Sequence, residues 1–224
     1  MNAANFVADA VSAERMVSRH YVWEQISLRI NQFAALVICC LLSPMLLLIM
    51  FFIWKIDGAP VLFAHYRVGK GGKLFRCWKF RSMRRDSEEV LAELLRTDAA
   101  SRAEWARDQK LTNDPRITPI GHFLRKSSLD ELPQLLNVIK GEMSLVGPRP
   151  VTVSELTRYG SVRWHYVSVA PGMTGLWQVS GRNNTTYAER VDMDRRYVES
   201  RSIAGDLSIL IKTVRVVVFR EGAR

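Results

Sequence analysis

Two adjacent carboxylates, Asp130 and Glu131, follow a basic pair and precede an apolar run in the segment RKSSLDELPQL. A carboxylate pair in such a place can do chemistry, or it can serve the fold alone. Ser128 to Glu131 also matches a capping box, in which the serine caps a helix and the glutamate returns a bond to the cap. Acidic residues in a first helical turn suit the helix dipole as well. From this segment alone, the chemical and the structural interpretation both stay open.

Basic side chains surround the carboxylates in the sequence. Arg125 and Lys126 come before them, Lys140 comes after, and Arg149 lies between two prolines in the loop Val146 to Pro150. Prolines restrict the backbone, so this loop holds its guanidinium with little entropy left to lose. A guanidinium is suited to bidentate phosphate recognition. The combination indicates carboxylates placed among phosphate-binding groups.

A second basic stretch, KFRSMRR, runs from Lys79 to Arg85. In a strand, Lys79 and Arg81 would point to one face, because alternate side chains share a face. We therefore include both among the candidate substrate-binding residues. The alternative is a basic patch on anionic lipid, which is worth about 1 kcal/mol per residue near the surface.

Composition narrows the choice of partners. The chain has 224 residues and a formal charge of +10, which favours polyanions: nucleic acid, anionic lipid or phosphorylated substrates. No P-loop pattern and no GxSxG nucleophile motif is present. The cysteines form no zinc or disulfide pattern, which is typical of a reducing, cytosol-facing protein. The histidines are not paired at metal-ligand spacing; they are His20, His65, His122 and His165.

The elements that must position these groups begin with an apolar segment. Phe33 to Trp54 contains no charged residue, and about 20 apolar residues suffice to cross a bilayer. Ser43 and Pro44 lie near its middle; proline removes a backbone donor, and a serine hydroxyl can bind the carbonyl that is freed. Basic residues flank both ends, which favours a helix-break-helix that enters and leaves on one face. A kinked helix that spans once is the alternative.

The remainder predicts an α+β, mainly helical protein with amphipathic surface helices. Three divisions are expected: an N-terminal arm and interfacial helix at 1–32, a re-entrant membrane helix at 33–56, and a cytosolic-face catalytic domain at 57–224. Within the last, we expect a β-hairpin around the Gly-rich turn at 70–72. The expected helices and loops are an exposed helix at 86–110, helix in two pieces at 121–139, a loop at 171–183, and an amphipathic helix or strand at 203–219 that lies on the membrane.

Several motifs resemble those of a known family, the bacterial sugar transferases, also called monotopic phosphoglycosyl transferases. The motifs are the Ser-Pro pair in the apolar segment, KFRSM, NDPRITPIGHFLRKSSLDELPQL, GEMSLVGPRP and PGMTGLWQVSGRN, in that order. The similarity runs from about Val22 to the C-terminus. Within the family the chain looks most like the short exopolysaccharide enzymes of the succinoglycan type.

The resemblance implies a re-entrant helix broken at Ser43-Pro44 and a two-step reaction. Asp130 would attack the β-phosphate of a UDP-sugar and release UMP, and undecaprenyl phosphate would then take the phosphosugar. Glu131 would orient the site or deprotonate the acceptor, and Asp130 and Glu131 would share Mg²⁺. The substrate-binding residues would be Arg125 and Arg149, with Gln178 and Arg182 as weaker candidates.

The resemblance also implies a place and partners. The protein would lie in the bacterial inner membrane with its catalytic domain on the cytoplasmic face, and would act with other exopolysaccharide-assembly proteins. UDP-galactose is the first expected donor and UDP-glucose the second; a homodimer is one option for the oligomeric state. A membrane-anchored binding module is the main rival. A nucleic-acid binder is not expected, because the basic residues cluster near the apolar segment, and one such segment is too few for a polytopic transferase.

Overall fold

The computed structural model describes residues 3–108, 111–181 and 185–219. A long helix, α1 (Ala3–Asp57), opens the chain, so helix begins within the predicted N-terminal arm and no helix end marks the boundary at 32. Its part from Ile26 to Asp57 is long and apolar enough to cross a membrane, and an 18-residue window within it has a mean hydropathy of 2.9. Large apolar side chains on this part are exposed, including Phe33 and Leu41. The predicted membrane association fits this surface.

Helical structure continues through Ser43 and Pro44, so the predicted break does not separate two helices. Proline at 44 cannot donate to the carbonyl of Cys40, four residues earlier. The Ser43 hydroxyl donates to that carbonyl at 2.8 Å. The predicted repair of the freed carbonyl by the serine is confirmed, and it explains how the helix persists through the proline.

The predicted hairpin is confirmed. Strand β1 (Leu62–Val68) pairs antiparallel with β2 (Leu74–Phe80), and a short 3₁₀ turn at Lys70–Gly72 joins them. Gly71 and Gly72 adopt positive φ, which glycine tolerates without steric cost. The hairpin places Lys79 next to the end of β2.

The exposed helix predicted at 86–110 is two helices, α2 (Ser87–Thr97) and α3 (Ala99–Asp108). Asp98 separates them, because its backbone is extended and its carboxylate accepts from the amides of Ala100 and Ser101 at 3.2 and 2.9 Å. Such side-chain capping begins a new helix at the point where the first one ends.

Short elements complete the chain. They are α4 (Pro119–Lys126), a 3₁₀ helix (Leu129–Gln134), α5 (Leu135–Lys140), β3 (Ser144–Val146), α6 (Val153–Thr157), a 3₁₀ turn (Gly160–Val162), α7 (Arg163–Ser168), β4 (Gly172–Thr174), α8 (Leu176–Val179), α9 (Tyr187–Glu199) and α10 (Ile203–Phe219). Strands β3 and β4 pair in parallel, and β4 and α8 lie within the segment predicted as a loop at 171–183. Of the helix or strand predicted at 203–219, the structure has the helix.

The apolar core joins α1 to later elements of the chain. One cluster brings Ala35 of α1 together with side chains of β2, α5, β3, α9 and α10, such as Cys77, Val138 and Tyr197. Another packs Ile53 against Phe80 and its neighbours. The membrane helix is therefore part of the scaffold that carries the candidate site.

Candidate active site

The carboxylate pair lies in the 3₁₀ helix Leu129–Gln134, which follows a strained residue. Ser128 has φ 58° and ψ 15°, a left-handed conformation that is uncommon for a residue with a Cβ. Its side chain makes no capping hydrogen bond, so the capping-box interpretation of Ser128 and Glu131 is wrong. The Glu131 carboxylate binds Lys79 and Arg149 instead of the Ser128 backbone. The interpretation of the pair as a chemical site therefore remains.

Glu131 is held by two cations. Lys79 Nζ and Arg149 Nη2 lie 2.6 and 3.1 Å from the same oxygen, Glu131 Oε1. Burial acts to raise the pKa of Glu131, but Arg149 and Lys79 outweigh burial and hold this pKa far below the ordinary value. Glu131 therefore stays ionised and is a weak base.

Asp130 lies beside this cluster without being bonded into it. It is only 8% exposed, and Lys79 Nζ is 3.6 Å from its Oδ2. Among the described residues, none donates a hydrogen bond to its carboxylate. Burial raises the pKa of Asp130, the Lys79 charge opposes this shift, and the Glu131 charge adds to it. Within the pair, Asp130 is therefore the anion that the described residues stabilise less.

Lys79 is positioned by a side chain that the sequence analysis missed. Asn137 is fully buried, its Oδ1 accepts from the Trp78 amide at 3.0 Å, and its Nδ2 donates to the Arg76 carbonyl at 2.7 Å. The amide thus acts as a strand partner for β2. A single asparagine within the run LLNVIK is the signal that could have revealed it.

Arg149 is held by a loop that the structure fixes on both sides. The Gly147 amide donates to Thr174 O at 2.9 Å, and the Gly172 amide donates to Pro148 O at 2.8 Å. A Cβ on Gly172 would overlap the Gly147 backbone, so this close approach requires glycine. On the other side, the Val151 amide donates to Tyr166 Oη at 3.1 Å. The predicted rigidity of this loop has a structural basis.

Arg125 reaches the site from the end of α4. Its Nε donates to Ser82 Oγ at 3.0 Å, and its charge acts to lower the pKa of Asp130. Lys79, Arg125 and Arg149 thus surround the carboxylates, as the sequence predicted.

The other predicted substrate-binding residues are used differently. Arg81 is buried, and its Nη2 donates to the carbonyls of Asp57 and Gly58, each at 2.7 Å. Gln178 lies in α8 and donates to Met173 O at 3.2 Å. Arg182 lies outside the described residues. A substrate contact for these three residues stays a prediction.

Asp130 and Glu131, the predicted metal ligands, supply carboxylate oxygens of the kind that Mg²⁺ binds. Mg²⁺ often binds through one or two carboxylates together with substrate phosphates, rather than in an all-protein site. No group of three or more His, Cys, Asp or Glu side chains that could hold a metal occurs in the part of the chain that the structure describes. The site therefore fits a metal that is bound jointly with a phosphorylated ligand.

The fold and site define a membrane-associated α+β protein with an acidic pair among basic groups. The family model of the bacterial sugar transferases matches residues 23–220, and the chain belongs to this family. It is 57% identical over 189 residues to the "UDP-galactose-lipid carrier transferase" of Erwinia amylovora, covering 84% of this chain and 39% of that protein. The "Exopolysaccharide production protein ExoY" of Rhizobium meliloti is 49% identical over 190 residues, covering 85% of this chain and 84% of that protein.

A third relative is the "Undecaprenyl-phosphate galactose phosphotransferase" of Salmonella typhimurium, which is 52% identical over 189 residues, covering 84% of this chain and 40% of that protein. The chain spans about two fifths of the length of the first and third relatives, and most of the length of the second.

Proposed function

We propose that this chain transfers a sugar 1-phosphate from a UDP-sugar, UDP-galactose or UDP-glucose, to undecaprenyl phosphate at the cytoplasmic face of the inner membrane. The observation that carries the proposal is the division within the carboxylate pair. Glu131 is bonded to Lys79 and Arg149, whereas Asp130 lies 3.6 Å from Lys79 and accepts no hydrogen bond from the described residues. The names of the relatives support the substrates.

The proposed reaction has two steps. A carboxylate oxygen of Asp130 forms a bond to the β-phosphorus of the UDP-sugar, the bond from that phosphorus to the α–β bridging oxygen breaks, and the electron pair leaves on UMP. A phosphate oxygen of undecaprenyl phosphate then attacks the same phosphorus, the Asp130–phosphorus bond breaks, and the carboxylate is restored. The product is an undecaprenyl diphosphate sugar, the first membrane intermediate of an exopolysaccharide.

The neighbouring residues have distinct roles in this proposal. Lys79, Arg125 and Arg149 hold phosphate oxygens and offset the repulsion between an anionic nucleophile and an anionic substrate. Glu131 orients Lys79 and Arg149, since its depressed pKa makes it a poor base for the acceptor. Mg²⁺, held by Asp130 and Glu131 with the substrate phosphates, would supply further neutralisation of charge.

A re-entrant path for the membrane helix is part of the proposal. Gln32 and Asp57 are 25 residues apart, so a straight helix would separate them by about 38 Å, more than the apolar thickness of a bilayer. Both ends nevertheless contact the catalytic part: Gln32 Nε2 donates to Ile139 O at 2.9 Å, and Arg81 binds the Asp57 carbonyl. These contacts favour entry and exit on one face, with a bend at Ser43-Pro44.

Helix α10 supplies a second membrane contact in this proposal. Four apolar side chains are exposed along one side of it, at a spacing that returns to the same face: Ile203, Leu207, Ile211 and Val214. Lys212 and Arg215 lie outside this stripe. Such a helix lies in the plane of the interface and brings the site to the level of the lipid phosphates.

The test is release of UMP by the purified protein with Mg²⁺, undecaprenyl phosphate and a panel of UDP-sugars. We expect one sugar to give UMP and a lipid-linked product, and Asp130→Asn to give neither. Asp192→Asn, a change of an acid on α9 outside the site, is the matched control and should retain activity. If no sugar gives UMP, or if Asp130→Asn matches the parent, the proposal is wrong and a membrane-anchored binding module replaces it.

A further inference from the structure

Two polar side chains tie the membrane helix to the segments that carry Lys79 and Arg149. At the upstream end, Asn31 Oδ1 accepts from the Leu145 amide at 2.9 Å and from Ser144 Oγ at 3.1 Å. Its Nδ2 donates within α1 to Ser27 O at 2.7 Å, which fixes the orientation of the amide. Asn31 is thereby attached to β3, whose chain leads four residues later to Arg149.

At the downstream end, Arg81 makes the equivalent connection. Its Nη2 binds the carbonyls of Asp57 and Gly58, which end α1 and have no partner of their own within the helix. A cation also suits the negative end of the helix dipole. The Arg81 amide donates to Val61 O at 3.0 Å, so backbone and side chain both hold this end. Lys79 lies two residues before Arg81 on the same stretch.

The two connections converge on a single atom. Lys79 and Arg149 both bind Glu131 Oε1, and each is carried on a segment attached to one end of the apolar helix. A shift of either end of the helix would move one of the two cations relative to Glu131 and Asp130. We propose that Asn31 and Arg81 are positioning residues that couple the seating of the membrane helix to the geometry of the Lys79–Glu131–Arg149 cluster. This inference rests on the proposed function only for its activity readout.

The kinetic test is a double-mutant cycle in lipid nanodiscs. Asn31→Ala and Arg81→Lys should each lower kcat about tenfold and leave KM for the UDP-sugar within about twofold, because they displace catalytic groups rather than remove a substrate contact. In a Glu131→Gln background, the same changes should cost less than about twofold, because the cluster through which they act is already broken. Asn31→Asp keeps an acceptor for the Leu145 amide and Ser144 Oγ but loses the donation to Ser27 O, so it should restore only part of the activity.

Lys55→Gln is the matched control, since it removes a cation from the last turn of α1 without touching the Asp57 or Gly58 carbonyl. It should leave kcat unchanged in both backgrounds. Equal losses for Asn31→Ala or Arg81→Lys in the two backgrounds, or no loss in the parent, would overturn the coupling.

Hydrogen exchange provides a readout that needs no activity. Arg81→Lys should speed amide exchange both at 57–61 and at 129–134, whereas Lys55→Gln should change neither segment. Faster exchange confined to 57–61 contradicts the coupling. A parent protein that makes no UMP, yet shows exchange transmitted to 129–134, would instead contradict the proposed function and leave the coupling standing.

Discussion

Two acidic regions of this chain bind arginine in different ways. At Asp114 the ion pair is closed: Arg116 donates to both carboxylate oxygens at 2.8 and 2.6 Å, and its guanidinium lies 5.0 Å from the Trp105 ring. At the Asp130–Glu131 pair, Glu131 is bonded through one oxygen and Asp130 accepts no hydrogen bond from the described residues. A satisfied carboxylate stabilises the fold, and an unsatisfied one beside cations is available for chemistry.

We expect the largest effect on activity from Asp130→Asn. UMP formation should fall by at least about a thousandfold, because an amide does not replace the nucleophile. The melting temperature should stay within about 2 °C of the parent, because no described hydrogen bond is lost. Activity assays and thermal unfolding on one preparation check both parts. A large loss of stability would show that Asp130 is structural, like Asp114.

Glu131→Gln should have a smaller effect on rate and a larger one on stability. Lys79 and Arg149 lose their anionic partner, so we expect about a hundredfold loss of activity and about 2 kcal/mol less stability. Rates and denaturant unfolding at neutral pH measure the two effects. The roles assigned to the pair would be contradicted if Glu131→Gln were as inactive as Asp130→Asn and as stable as the parent.

Asp114→Asn should act mainly on folding. It leaves Arg116 buried without a charged partner, which costs about 3 kcal/mol of stability. The control is Asp86→Asn, which breaks the exposed pair with Arg84 and should have little effect on stability, because solvent screens that pair. Equal costs in denaturant unfolding would contradict the distinction between closed and exposed pairs.

The loss of activity at low pH should follow protonation of Asp130 rather than of Glu131. The pKa of Asp130 is raised and that of Glu131 is depressed, so as the pH falls Asp130 takes up a proton first and activity is lost with it. Because the Glu131 charge raises the pKa of Asp130, Glu131→Gln should move the acidic limb of kcat/KM to lower pH. Profiles of the parent and the variant from about pH 4 to pH 8 test this sign. A shift to higher pH would contradict it.

The smallest expected effect concerns the backbone before the pair. Ser128→Gly should raise stability by about 1 kcal/mol, since glycine adopts positive φ without strain. Ser127→Gly is the control and should destabilise, because Ser127 has negative φ and its hydroxyl donates to Phe123 O at 2.7 Å. If the two substitutions change the free energy of unfolding in the same direction, the strain at Ser128 is contradicted.

Local patterns predicted much of the fold. The hairpin followed from alternation around a Gly-rich turn, because that signal lies in neighbouring residues, whereas the apolar segment at 203–219 left helix and strand both open. The sequence also predicted the grouping of Lys79, Arg125 and Arg149 near the carboxylates. The resemblance to the family provided the roles, which spacing alone left open between chemistry and a capping box.

The features that the sequence missed depend on distant contacts. Nothing near Ser128 signals a left-handed backbone, so its capping pattern was misleading. Arg81 lies just beyond β2, the strand that carries Lys79, and its side chain binds the carbonyl groups at the end of α1. Asn31 and Asn137 hold segments that are 114 and 59 residues away, respectively, in the chain.

The central claim is that Asp130 carries the phosphosugar. The most direct test is intact-protein and peptide mass spectrometry after incubation of the parent with UDP-sugar and Mg²⁺, without lipid acceptor. We predict one phosphosugar on the peptide that contains Asp130, lost on addition of undecaprenyl phosphate and absent in Asp130→Asn. A protein that stays unmodified while forming UMP only with lipid present, or a modification on Glu131, would contradict the account.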